Sequence, residues 1–182
     1  MSTQSSMREL ILDAAETRVR AVGYKAVSFR ELAEDVGVKS ASVHYHFPQK
    51  TDLGVQLVER YAARFRASLD TIDQSDLLGA ISAFATLYAD ALVVGESMCL
   101  CAVLGAEANG LPPEINAKVR DFFQMNIAWL TELNQQYGRE VVAMLPSEIV
   151  ASLEGAMIIS NSTDDRNVMN RTIARILDGY KP

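Results

Sequence analysis

The decapeptide SASVHYHFPQ is flanked by Lys39 and Lys50, carries His44 and His46, and contains no acid. Its hydroxyls (Ser40, Ser42), its phenol (Tyr45) and its imidazoles are hydrogen-bond donors in one short run. They suit phosphate oxygens and the edges of bases. The chain as a whole is acidic, with a formal net charge of −6, but the charge is uneven. Residues 1–54 balance seven cations (Arg8, Arg18, Arg20, Lys25, Arg30, Lys39, Lys50) against seven acids, so the whole excess of acid lies further on. A local patch can hold an anion while the rest of a molecule repels it, so the global charge does not exclude nucleic acid.

Other chemistry is sparse. Cys99 and Cys101 are the only cysteines. They cannot build a disulfide framework, and two positions apart on a helix they point away from each other. Cys99 would open a short helix, where the dipole favours a thiolate, so it is a candidate sensor of electrophiles or oxidants; the competing reading is a small buried hydrophobe. The sequence has no GxSxG elbow, P-loop, dinucleotide fingerprint or HExxH pair, and its two histidines lie some fifty residues from its cysteines. Neither an enzyme, nor a cofactor, nor a metal site is expected.

The elements that position the basic run read as helices. Of 182 residues 49% are hydrophobic and 22% charged, with only 5 Pro, and apolar residues recur at three- and four-residue steps. An all-α fold of about nine helices follows. Residues 7–22 form a first amphipathic helix with Leu10, Ile11, Ala14, Ala15, Val19 and Val22 on its stripe, ended by Gly23. Ser28 with Glu31 fits a capping box that opens a second helix to about Val36. Gly37 sits where an interhelical turn wants positive φ, and Ser40 is placed to cap a short third helix, with Val43 and Phe47 inward and Lys39, Ser42, His44, Tyr45 and His46 outward. Pro48 stops it. These coincident positions make a helix-turn-helix. A plain helical hairpin would share the spacing, but its exposed helix would be filled with Glu, Lys and Ala rather than hydroxyls and aromatic donors.

A long fourth helix spans Thr51 to about Thr71, and a fifth, capped by Ser75, runs from Asp76 to Val94. After a break at Gly95, Cys99 to Ala108 is a sixth. The seventh starts at Pro113 and ends near Tyr137, the eighth covers Pro146 to Ile159, and the ninth starts at Thr163 with Asp164 and Asp165. Phe84, Tyr88, Met98, Cys99, Phe122, Met125, Trp129 and Met157 are candidates to line an apolar cavity, with plain core as the alternative. The last two helices carry more apolar surface than a terminal pair needs; Ile149, Leu153, Met157, Met169, Ile173, Ile176 and Leu177 are candidates for a two-fold four-helix interface.

The stretch SFRELAEDVGVKSASVHYHFPQKTDL, residues 28–53, resembles the tetracycline-repressor-like (TetR) family of bacterial regulators, with Ala33, Gly37, Val38, Phe47, Lys50 and Leu53 at the family's spacing. The resemblance implies an N-terminal DNA-binding module (residues 1–50) on a ligand-binding and dimerisation body (51–182). By its pattern the third helix enters the major groove of operator DNA, while Ser28, His44, Lys50 and Thr51 meet phosphates and Arg30, Lys39, Ser40, Ala41, Ser42, Tyr45 and His46 complete the contact surface. It further implies a homodimer reading a palindrome, an apolar or aromatic small-molecule inducer, and repression as the outcome. The sequence departs from the family at His44, where Tyr is usual, and at Ala41, where Gly is common.

Two further expectations complete the reading. No apolar h-region opens the chain and no stretch is long and apolar enough to span a bilayer, so a cytoplasmic protein with no membrane partner is expected. The rival to a regulator is an all-α dimeric adaptor with a vestigial helix-turn-helix, and salt-dependent duplex binding separates the two.

Overall fold

Local signals in the sequence set most of the helix ends in the computed structural model, which describes residues 6–93, 98–138 and 144–181. Among these, nine α-helices and one 3-10 turn follow in order. They are α1 (Met7–Val22), α2 (Phe29–Val36), α3 (Ser40–His46), α4 (Lys50–Asp70), α5 (Leu77–Val93), α6 (Leu100–Ala106), the 3-10 turn Ala108–Gly110, α7 (Pro113–Gln136), α8 (Pro146–Thr163) and α9 (Asn167–Asp178). The expected all-α architecture stands. The expected break at Gly95 lies outside the described residues.

Packing groups the chain into two units. One comprises the residues through Ala63 together with Leu100–Val119; the other comprises Arg64–Cys99 and Arg120–Pro182. The division therefore differs from the boundary expected at residue 50. The reason lies in α4, whose first half is tied to α1: Arg60 meets Glu9 at 3.1 Å, Asp13 at 2.8 Å and Glu16 at 3.1 Å. Burial alone would favour a neutral Arg60, but these three carboxylates outweigh it and raise its pKa. In the same unit Arg18 of α1 bonds Asp35 of α2, α2 packs on α3, and α6 packs on α1.

In the second unit α8 packs on α9 and α5 packs on both. Ile149, Leu153, Met157, Met169 and Ile176, expected at a two-fold interface, are instead buried within the single chain. Their surplus hydrophobicity is consumed by these helix pairs. Ile173 and Leu177 remain half-buried, whereas Ile158 (42% exposed) and Ile159 (49%) face solvent.

Four expected local details change. The buried face of α1 is Ile11, Leu12, Ala15 and Val19, with Leu10 40% exposed, so the stripe is turned by one residue. Lys39, not Ser40, occupies the N-cap of α3, and no side chain caps it. Asp76 rather than Ser75 caps α5, accepting from the Gly79 amide at 2.8 Å. Thr163 ends α8 instead of starting the next helix; Asp164 follows in the left-handed region at φ 54°, and Asp165 accepts from the Asn167 amide that opens α9.

Candidate nucleic-acid interface

The helix-turn-helix is assembled from caps and two buried anchors. Ser28 and Glu31 form the expected reciprocal box: the Glu31 amide donates to Ser28 Oγ at 3.3 Å, while the Ser28 amide (2.9 Å) and hydroxyl (2.7 Å) both donate to Glu31 Oε2. Those hydrogen bonds from Ser28 hold the Glu31 carboxyl below the usual carboxylate range. Gly37 ends α2 at φ 73°, a conformation that costs a β-carbon-bearing residue, and its amide returns to Ala33 and Glu34. The Val38 amide also bonds Ala33 O, at 2.9 Å, which turns the chain into α3.

Val43 and Phe47 are both fully buried and seat α3 on its unit. That orientation turns the remaining side chains outward: Lys39, Ala41, His44 and Tyr45 are exposed, and Ser40, Ser42 and His46 are half-buried. Tyr45 is 83% exposed with its ring edge against His46 at 5.1 Å. His44 packs edge-on against Phe29 at 4.7 Å, which fixes its ring between α2 and α3. Arg30 is exposed in a loose pair with Glu34 at 3.7 Å, worth little in water.

The other expected phosphate contacts are occupied. The donors of Ser28 both go to Glu31, as above. The Lys50 ammonium donates to Lys25 O at 3.1 Å and lies over the Tyr24 ring, 4.5 Å from its centroid. Its partial burial lowers its pKa, while the charges of Glu107 and Glu31 act the other way. Thr51 hydrogen-bonds the phenol of Tyr24, a buried residue whose own pKa is raised chiefly by that burial. Tyr24 thus organises the site, a role its place in a short connection did not signal.

The second unit brings together four of the expected cavity residues. Phe84 stacks on Trp129 (5.4 Å, 13°) and touches Tyr88 at 5.6 Å, while Phe65, not anticipated, bridges Tyr88 at 5.5 Å and Phe122 at 5.2 Å. These four expected rings are buried and packed on their neighbours. Met98 and Met125 are half-buried. An open cleft of about 340 Å³ is lined by other residues: Met144, Ser152, Thr172, Arg175 and Ile176.

Cys99 is buried, its amide donating to Met157 Sδ at 2.9 Å. Beside it lies Glu154, only 8% exposed, whose carboxyl is pushed up to about 10 by burial and by the neighbouring Cys99. The carboxyl and the Cys99 thiol share a hydrogen bond. Reactive thiols sit in exposed, electropositive surroundings, and Cys99 has neither. Cys101 is buried as well. Glu154 itself was hidden in the sequence by its apolar neighbours, since a lone acid on such a helix reads as solvent-facing.

No helix among the described residues is long and apolar enough to cross a membrane. Comparison with known proteins adds the context for this geometry. Residues 11–57 match the model of the N-terminal domain of the bacterial regulatory proteins of the tetR family. A TetR transcriptional regulator from Legionella pneumophila is 27% identical, with a TM-score of 0.88 over 97% of both chains. A TetR-family regulator from Agrobacterium tumefaciens is 26% identical (TM-score 0.86, 94% of this chain and 95% of that one). The reduced form of NemR from E. coli, 19% identical, shares the fold at a TM-score of 0.80 over 94% of this chain and 96% of that one. No curated protein matches. A helix-turn-helix that falls inside the matched segment and a fold shared along nearly the whole chain lead to one assignment: residues 11–57 are an N-terminal domain of the tetR-family type, in a chain whose fold is similar to that of TetR-family regulators.

Proposed function

We propose that the chain is a ligand-responsive repressor that binds palindromic operator DNA as a homodimer through α3. The observation that carries this reading is the surface of α3. A tyrosine 83% exposed, flanked by histidines and hydroxyls and free of acid, is anchored from behind by Val43 and Phe47. Such a ring is poorly placed in water and well placed against a base edge or sugar. Lys39, Ser40, Ala41, Ser42, Tyr45 and His46 read bases; Arg30, His44, Lys50 and Thr51 hold the backbone, Ser28 joining them if it yields a bond to Glu31. Two copies of α3 in a dimer meet half-sites one helical turn, about 34–36 Å, apart.

Dimer contact falls to the exposed Ile158 and Ile159 of α8 and the half-buried Ile173 and Leu177 of α9. The inducer is a small apolar or aromatic molecule taken up by the second unit, which shifts the balance between DNA-binding and released states through different affinities for the two. A thiol-reactive signal at Cys99 finds less support, given its burial beside Glu154.

Selection of duplexes from a randomised library by the full chain tests the reading. An inverted repeat is the expected outcome; recovered duplexes that share no sequence would count against it and favour the adaptor.

A further inference from the structure

We propose that Glu107 is a positioning residue for DNA binding: its carboxylate holds the turn on which the Lys50 ammonium rests. The proposal builds on the reading of Lys50 as a phosphate contact. Both partners of the Lys50 ammonium, the Tyr24 ring and the Lys25 carbonyl, belong to the turn between α1 and α2. Whatever fixes that turn therefore fixes the charge. Glu107, just past α6 and in the same packing unit, supplies an anchor: its Oε2 accepts from the Tyr24 amide at 3.2 Å.

The fit is reciprocal. Glu107 Oε1 lies where a side chain at Gly23 would begin, 1.9 Å from the position a β-carbon would take. Gly23 is at φ 83°, so both its conformation and the approach of the carboxylate call for glycine. In the opposite direction, Lys25 Nζ lies 1.9 Å from where a β-carbon on Gly110 would be. An acid from one segment and a base from the other are thus each tucked against a glycine of the facing segment. Asn116 secures the second segment by donating to Ala108 O at 2.8 Å.

A carboxylate near a lysine that meets phosphate repels DNA, so its charge and its hydrogen bond act on binding with opposite signs. This makes the two separable. Glu107→Gln keeps an acceptor for the Tyr24 amide and drops the charge; Glu107→Ala drops both. Binding to a library-selected duplex is measured by fluorescence anisotropy with the full chain. Glu107→Ala is expected to weaken it about fivefold, the factor associated with one net hydrogen bond, and Glu107→Gln to tighten it slightly at low salt. In a Lys50→Ala background Glu107→Ala is expected to have no further effect, because its action passes through Lys50.

Equal weakening by Glu107→Ala in both backgrounds, or none in either, overturns the proposal. Hydrogen exchange of the Tyr24 amide supplies a reading without DNA. It is expected to accelerate in Glu107→Ala and stay protected in Glu107→Gln. Exchange unaltered by Glu107→Ala removes the clasp alone, whereas a wild-type chain that selects and binds no duplex removes the reading of α3 and, with it, the purpose of the clasp.

Discussion

In the N-terminal unit the helices are fastened by directional polar contacts: Arg60 to three acids, Arg18 to Asp35, the Ser28–Glu31 box, and Glu107 on Tyr24. In the other unit the fastening is burial. Five rings, Phe65, Phe84, Tyr88, Phe122 and Trp129, pack on one another, and the polar side chains of Glu154 and Asn126 are buried. Hydrogen bonds and ion pairs tolerate displacements of only a few tenths of an ångström, while apolar contact is non-directional and admits repacking at modest cost. A surface that reads DNA needs the first kind of hold. An interior that accepts a small molecule, as proposed for the second unit, is better served by the second.

Breaking the burial should have the largest effect. Phe84→Ala is expected to cost about 3–5 kcal/mol of unfolding free energy, nearly independent of salt. Denaturant titrations at low and high ionic strength check both points. In the polar unit Arg60→Met, which removes the ion pairs to Glu9, Asp13 and Glu16, is expected to cost about 1–3 kcal/mol, with part of the loss removed by salt. A salt-insensitive loss of the same size would blur the contrast between the units.

Glu154 sharpens it. Its folded pKa of about 10 lies above the ordinary 4.5, so above pH 4.5 the unfolded chain loses a proton that the folded chain keeps. Stability is therefore full below pH 4.5 and falls as pH rises toward 10. Glu154→Gln should remove that slope and gain about 1–3 kcal/mol at pH 8 while changing little at pH 4. Thermal unfolding of both forms across that range decides it. The smallest effect is expected of Tyr24→Phe, which loses the hydroxyl to Thr51 but keeps the ring under Lys50, at about 1 kcal/mol or less. A larger loss would mean that the phenol, not the ring face, holds the lysine.

Elements with local signatures were legible in the sequence: the Ser28–Glu31 box, Gly37 in the left-handed turn, and the inward Val43 and Phe47 of α3. Where two registers are nearly equal in apolar content, the sequence could not choose, and Leu10 was placed on the stripe that Leu12 fills. Long-range partners leave no local trace. Glu107 lies eighty-three residues from the amide it binds. The same holds for Ile149, Leu153 and Ile176: hydrophobic surplus shows that they must be covered, not whether their own chain or a second copy covers them.

The central claim is that α3 reads sequence while Lys50 holds backbone. Its most direct test is anisotropy of a selected duplex and of a scrambled duplex, across a salt series, for wild type, Tyr45→Ala and Lys50→Ala. The account expects Lys50→Ala to weaken both duplexes alike and to make the salt slope shallower by about one, and Tyr45→Ala to lower the preference for the selected duplex while leaving the slope unchanged. Equal affinity of the wild type for the two duplexes, or a preference that survives Tyr45→Ala intact, would contradict it.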